Sequence, residues 1–214
     1  MTEVLIAVGT LAVGMIFIAG LFPAAIFLTT EAAEQTVAGV VADEAFAKIR
    51  LYGVNPGLLN YNSLTQYENV VSRPFDPCEV TYPSTGEIAA YERQYLWLAL
   101  CRRVDQGARG VQVTVFVCRR AGGAPELQRY LVQGAVGETV VEVPRGATLI
   151  GEGYMLVDER TGRLYRVVSR DDKEITLDKS WLGPDDPFAI WTIRASEGTG
   201  RNPCIAVFQK VIQF

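Results

Sequence analysis

The sequence of 214 residues contains no histidine. This absence excludes Ser-His-Asp and Cys-His catalysis, because both need an imidazole base. It also excludes zinc sites with histidine ligands, haem held by a proximal histidine and histidine pH switches. The four cysteines could in principle form a four-thiolate zinc site, but none of them shows the C-x2-C spacing typical of one.

Positive charge is scarce as well. The chain has 20 Lys+Arg against 24 Asp+Glu, a net charge of −4 and a pI near 5.0. A protein that binds nucleic acid needs a basic surface, so we expect no nucleic-acid partner. The first basic residue is Lys48, and no charged residue lies between Val4 and Thr30. Those 27 uncharged residues exceed the roughly 20 that span a bilayer core.

Four interpretations of this N-terminal run differ in what should flank it. A signal peptide needs a basic start and a short apolar core, whereas this run is long and carries an acid, Glu3. A simple membrane anchor usually has Lys or Arg at its cytoplasmic end. A core helix is rarely apolar on all its faces. The pattern favours a helix that lies in a membrane first and later packs against copies of itself.

Details inside the run support this interpretation. Glu3 lies where a carboxylate is favourable with the helix dipole and can pair with an α-amino group. Glycines at positions 9, 14 and 20 provide small faces for close helix approach. Pro23 removes one backbone donor, so Gly20 and Pro23 predict an interruption that loosens the helix.

The segment TEVLIAVGTLAVGMIFIAG, followed by Phe22 and Pro23, resembles the mature N-terminus of bacterial type IV pilins and type II secretion pseudopilins. In that resemblance Glu3 matches the family's glutamate, Met1 its amino-methylated first residue and Pro23 its helix-loosening proline. The family glutamate is usually the fifth mature residue, whereas here it is the third. The family leader peptide has no counterpart, so we expect the numbering to start at the processed end.

The resemblance implies a structural filament subunit that waits in the cytoplasmic membrane and then assembles with identical copies outside the cell. Glu3 would be costly in the apolar filament core unless paired, and the amino group of Met1 in a neighbouring subunit is its natural partner. Two alternatives stay open. One is a pseudopilin or minor pilin of a secretion or pilus machine. The other is a single-pass, membrane-anchored binding protein with a β-rich ectodomain.

The rest of the sequence predicts an α+β fold with the helix first. Residues 1–30 form the apolar part, and residues 31–53 continue the helix in water with an apolar stripe at three- and four-residue spacing, from Ala33 to Ile49. Gly53 and Pro56 should end it. Residues 54–93, punctuated by Pro, Gly and Ser, read as a long connecting loop region.

Residues 94–214 predict a β-rich globular head with an antiparallel sheet. YLWLALCRRV and VQVTVFVCRR flank the turn sequence DQGARG and predict a hairpin, with Val111, Val113, Val115 and Val117 on one face. Strands are also expected at 130–135 and 139–143. Residues 150–195 should form a small meander subdomain with turns at ERTG and SRDDK, and residues 205–214 a last strand.

We find no pattern typical of an enzyme. The acid pairs Asp158-Glu159, Asp171-Asp172 and Asp185-Asp186 stand in turn-like contexts, so they are expected to satisfy turns. Neither GxxxxGK[ST] nor GxSxG occurs, and we expect no catalytic activity, no cofactor and no metal.

The cysteines predict an exported chain with two disulfides. Two pairings are comparably favoured: Cys101–Cys118 with Cys78–Cys204, or Cys78–Cys101 with Cys118–Cys204. Free buried thiols are the remaining possibility.

Overall fold

The structure is a computed structural model that describes residues 2–84, 88–89, 92–104, 110–120, 124–144, 150–183, 187–194 and 202–214. The chain divides into two compact units, residues 1–39 and residues 40–214. One long helix is followed by antiparallel sheets, so the predicted α+β class is confirmed.

The helix α1 runs from Thr2 to Tyr52. It ends where the sequence predicts, because Gly53 takes a positive φ of 74° and its N–H donates to the carbonyl of Ile49 at 3.0 Å. The helix is continuous through Gly20 and Pro23, so they do not interrupt it, and their loosening of the helix stays a prediction. Proline removes one backbone hydrogen bond, and the turns on either side of it retain theirs.

Within the second unit, helix residues 41–49 contribute a buried stripe. Val41, Ala45 and Ile49 are fully buried and Phe46 nearly so. The predicted apolar stripe is therefore confirmed from Val41 onward, whereas Ala33 is exposed. The ammonium group of Lys210 lies 4.9 Å from the centre of the Phe46 ring. This cation–π contact ties the helix to the last strand of the chain.

The described part of the chain contains eleven strands: β1 (Thr65–Gln66), β2 (Thr81–Tyr82), β3 (Tyr95–Arg103), β4 (Gly110–Arg119), β5 (Glu126–Val132), β6 (Val140–Glu142), β7 (Met155–Asp158), β8 (Leu164–Asp171), β9 (Glu174–Leu177), β10 (Phe188–Arg194) and β11 (Cys204–Gln213). Short 3-10 helices span Pro56–Leu58, Tyr67–Asn69 and Pro77–Val80. The described residues of 54–93 therefore form only short elements.

The first sheet has the order β1-β3-β4-β11, with β2 also paired to β3. The predicted hairpin is confirmed as β3 and β4, in a register that places Leu98 opposite Phe116. Val111, Val113, Val115 and Val117 are buried. The other face of β4 is buried too, which simple alternation did not predict.

The second sheet has the order β5-β10-β7-β8-β9-β6. The predicted meander is present as β7, β8 and β9. The sheet also takes β5 and β6 from before residue 150, so it is larger than the predicted 150–195 subdomain. The reason is that β5 pairs with β10 along its whole length, from Glu126 opposite Arg194 to Val132 opposite Phe188.

The two sheets share an apolar core. Leu100 and Phe116 of the first sheet cluster with Val157 and Ile193 of the second. The second sheet also has a core of its own around Trp181, whose ring stacks on Phe188 at 3.9 Å between centroids. Burial on both faces explains why β4 reads as a continuous apolar run.

Candidate assembly surface

Residues 4–30 of α1 form an apolar surface that is exposed to solvent in the described chain. Its large apolar side chains are 53–71% exposed: Val4, Ile6, Val8, Leu11, Val13, Met15, Ile16, Phe17, Ile18, Leu21, Phe22, Ile26, Phe27 and Leu28. Monomeric soluble proteins rarely expose apolar patches beyond a few hundred Å². The helix is long and apolar enough to cross a membrane. We call residues 4–30 the apolar segment.

Polar groups inside the apolar segment are satisfied within the helix. Each threonine hydroxyl there donates to a carbonyl three or four residues earlier: Thr10 to Ala7, Thr29 to Ala25 and Thr30 to Ile26. Such bonds remove the cost of placing a hydroxyl in an apolar environment. The segment therefore suits lipid or a helix bundle equally well.

Glu3 is the only acid in the first turn of α1, and it is exposed. Its carboxylate complements the positive end of the helix dipole. The predicted partner position, Met1, lies outside the described residues. The structure thus places the acid at the start of the apolar segment, and the pairing between subunits stays a prediction.

The three glycines of the apolar segment have no neighbouring side chain against them. A Cβ added to Gly9, Gly14 or Gly20 would meet nothing within 4 Å. No contact within the described chain therefore requires these glycines. Gly9 and Gly20 are eleven residues apart, close to three helical turns of 3.6 residues, so they lie on one side of α1. Small residues on one face let a second helix approach closely.

The two predicted disulfides are not present, because all four cysteines are free. Cys101 is opposite Val113 on β4 and Thr65 on β1, so the recurring CRR motifs are out of register. The pairing Cys101–Cys118 is therefore wrong. Burial raises the pKa of the Cys101 thiol to about 12, which keeps it protonated and unreactive at neutral pH.

Cys118 and Cys204 lie opposite each other on β4 and β11. Burial and a hydrogen bond with Cys204 raise the pKa of the Cys118 thiol. Cys78 is exposed, and its N–H donates to Asp76 at the start of a 3-10 helix. The four thiols thus occupy three different environments.

We expect a thiol reagent to distinguish these environments. In unreduced native protein, iodoacetamide at pH 8 should label Cys78 first and leave Cys101 and Cys118 largely unlabelled, because only the exposed thiol is accessible. Peptide mass mapping measures this order. The control is the same labelling in denaturant without reductant, where all four cysteines should react. Two or fewer labelled cysteines in denaturant would contradict the free-thiol state.

Asp158 and Asp172 serve turns, whereas Asp171 ends β8 and Glu159 forms an ion pair with Arg129. Asp158 is fully buried and accepts hydrogen bonds from the N–H groups of Arg160 and Thr161 at 3.1 and 3.0 Å, and from the Thr161 hydroxyl. Asp172 lies in a turn at a φ of 38°. Asp185 and Asp186 are outside the described residues. Within the described ranges, no group of three or more His, Cys, Asp or Glu side chains could hold a metal.

A polar network that sequence reasoning missed joins the ERTG turn to the first sheet. The guanidinium of Arg102 donates to Gln112 Oε1 at 2.8 Å and to the Arg160 carbonyl at 2.9 Å. The carbonyl of Gly162 accepts from Gln112 at 3.2 Å and from Gln209 at 2.6 Å. Burial lowers the pKa of Arg102, and nearby Asp158 opposes that shift. The turn was visible in the sequence, but its partners on β3, β4 and β11 were not.

Glu159, which follows β7, binds both β5 and the loop region. Glu159 accepts two hydrogen bonds from Arg129 Nε and Nη2, at 2.9 and 2.7 Å, and one from the Ser63 hydroxyl at 3.1 Å. The hydrogen bond to Glu159 raises the pKa of Arg129. Both networks connect structural elements of the second unit.

No protein-family model, curated protein or solved structure matches this chain. The architecture, a long N-terminal helix with an apolar first half followed by a β-rich part, fits that of the pilins.

Proposed function

We propose that this chain is a structural subunit of a type IV pilus-like extracellular filament. The observation that carries the proposal is the apolar segment, an exposed surface of 27 uncharged residues preceded by a single acid. Such a surface needs an apolar partner. Before assembly the cytoplasmic membrane provides it, and in the filament the same segments of neighbouring copies provide it.

Assembly on this scheme exchanges lipid contacts for helix–helix packing. Apolar area stays out of water in both states, so the hydrophobic effect supplies little net driving force. Packing through the faces that carry Gly9, Gly14 and Gly20 supplies close contact. Register comes from charge, since Glu3 inside an apolar bundle is stable only when paired with a positive group such as the amino group of Met1.

Two alternative functions are also compatible with an exposed apolar segment. A pseudopilin or minor pilin would use the same segment and differ in abundance. A membrane-anchored binding protein would use α1 as an anchor only, and the second unit does contain a cavity of about 590 Å³. The anchor function predicts no polymer and no requirement for Glu3.

Electron microscopy of material sheared from cells tests the proposal directly. We expect thin filaments in which this chain is the dominant protein, and an N-terminal peptide whose mass shows a methylated Met1. A filament that contains the chain as a trace component would favour the minor-pilin function. Absence of the chain from the sheared fraction, with all of it in the membrane, would overturn the filament proposal.

A further inference from the structure

The strand β11 forms one edge of the first sheet, and no strand among the described residues lies beyond it. It is ten residues long, from Cys204 to Gln213. Gln209, Lys210, Val211 and Gln213 are exposed, and Val211 keeps 59% of its surface. Such an edge presents a row of backbone N–H and C=O groups with which another strand can pair.

The register of β11 on β4 shows which backbone groups form this row. In an antiparallel ladder, opposite residues alternate between pairs that exchange hydrogen bonds and pairs that do not. The N–H of Arg119 donates to the carbonyl of Pro203 at 2.8 Å, and Val117, two residues before Arg119, lies opposite Ala206. Odd-numbered residues of β4 therefore bond to even-numbered residues of β11 from Ala206 onward. The odd-numbered residues 207–213 direct their N–H and C=O groups away from β4.

The features that usually protect an edge strand from pairing do not cover this part of β11. A register irregularity lies at the start of the strand, between Cys204 and Ala206. Residues 207–213 contain no proline, and their one charged residue is Lys210. Its ammonium group lies 3.2 Å from Asp43 of α1, so this charge is held on the face of the sheet that α1 covers and does not shield the edge.

A second copy of the chain offers a matching edge. The strands β1 and β2, at the other side of the first sheet, have only two residues each. The outer strands of the second sheet, β5 and β6, are joined where Gln133 and Glu142 exchange backbone hydrogen bonds of 3.0 and 2.7 Å. Among the described strands, β11 therefore has the longest open edge, and the β11 of a second copy is its equal in length.

Two antiparallel copies of β11 fit in a register that suits both hydrogen bonding and charge. With Gln209 opposite Gln209, Val207 lies opposite Val211, and these positions direct their backbone groups toward each other. Lys210 then lies opposite Phe208. Moving one strand by two residues keeps the hydrogen bonds but places Lys210 opposite Lys210, and like charges directly opposite are destabilising.

We propose that β11 pairs with the β11 of a second copy, antiparallel and about a two-fold axis at Gln209, so that the first sheets of two chains join into one. A two-fold contact of this kind closes on two copies and does not propagate. It is therefore distinct from the packing of the apolar segments, and it does not rest on the proposed filament function.

Hydrogen exchange of the full chain in detergent micelles, followed by NMR at micromolar and at millimolar protein, tests this pairing. The amides of residues 208, 210 and 212 bond to β4, so they should exchange slowly at both concentrations. We expect the amides of residues 207, 209 and 211 to exchange at least tenfold more slowly at the higher concentration. Equal exchange of these three amides at both concentrations would overturn the proposal, even if the mass of the complex doubles, because a dimer held by α1 alone leaves them unpaired.

A proline at the edge provides a second test. Val211→Pro removes an N–H that points away from β4, and strands tolerate proline on an edge in this orientation. The variant should keep slow exchange at residues 208 and 210 and lose the concentration effect at residues 207 and 209. Val211→Thr, the matched control, alters the side chain and keeps the N–H, so the concentration effect should persist.

The remaining outcomes also decide. If Val211→Pro fails to fold, which fast exchange at residues 208 and 210 would reveal, the comparison of the two concentrations stands alone. A concentration effect that persists in the folded Val211→Pro variant would contradict pairing through this edge. Slower exchange at high concentration on β5 together with β11 would identify β5 of the second copy as the partner and overturn the self-pairing of β11.

Discussion

Glu3→Ala should leave the chain in the membrane and reduce filament yield at least tenfold. The apolar segment, which is long and apolar enough to cross a membrane, is untouched by this change, so we expect insertion to be retained. In the proposed filament core the substitution would leave the amino group at Met1 of a neighbouring subunit without its carboxylate. Removing one partner of a buried ion pair costs about 3–5 kcal/mol. Immunoblots of the membrane and sheared fractions measure both effects.

Two further variants identify the cause of the Glu3 effect. Glu3→Gln keeps the size of the side chain and removes its charge, so it should match Glu3→Ala if charge is what matters. Glu31→Ala removes the next acid along α1, beyond the apolar segment, and should assemble normally. Wild-type filament yield from Glu3→Ala would contradict the pairing of Glu3 with a neighbouring subunit.

Gly162→Ala should be the most destabilising glycine-to-alanine change in the ERTG turn and its surroundings. Gly162 has a φ of 68°, which costs an alanine about 1–2 kcal/mol. Its new Cβ would lie 2.8 Å from Arg102 Nε and 2.9 Å from Gln112 Nε2. Both atoms belong to side chains that can move, but moving them breaks the hydrogen bonds of Arg102 with Gln112 and with the Arg160 carbonyl, at about 1 kcal/mol each. We expect a total loss of about 3 kcal/mol, a large share of the stability of an ordinary domain.

Gly137→Ala is the matched control for this change. Gly137 also has a positive φ, of 92°, but a Cβ there would meet nothing within 4 Å. The control should therefore lose only the backbone part, about 1–2 kcal/mol. Urea unfolding of the detergent-solubilised full chain, followed by tryptophan fluorescence, gives both free energies. Equal losses in the two variants would show that the contact of Gly162 with Arg102 and Gln112 does not matter for stability.

Features that depend on neighbours in the sequence were predictable. The helix and its end at Gly53 follow from an uncharged run, a three-to-four-residue apolar period and a glycine stop. The β3–β4 hairpin follows from two apolar runs around a glycine-containing turn. The turn role of Asp158 follows from the ERTG context. Each of these signals lies within one element and the turn next to it.

Features that depend on sheet order and register were not predictable. The two CRR motifs suggested that Cys101 and Cys118 are neighbours, yet the hairpin register places Cys101 opposite Val113. The strands β1 and β2 come from a region that reads as loop, yet both pair with β3 on the side away from β4.

The sequence alone determined that residues 4–30 need an apolar environment and that Glu3 is the charge at its edge, because hydrophobicity and charge belong to residues wherever they lie. Only the tertiary structure decided which residues meet: Gly162 with Arg102, β5 with β10, and β1 and β2 with β3. Those contacts join positions tens of residues apart, and their register is set by packing across the whole second unit, which no local period encodes.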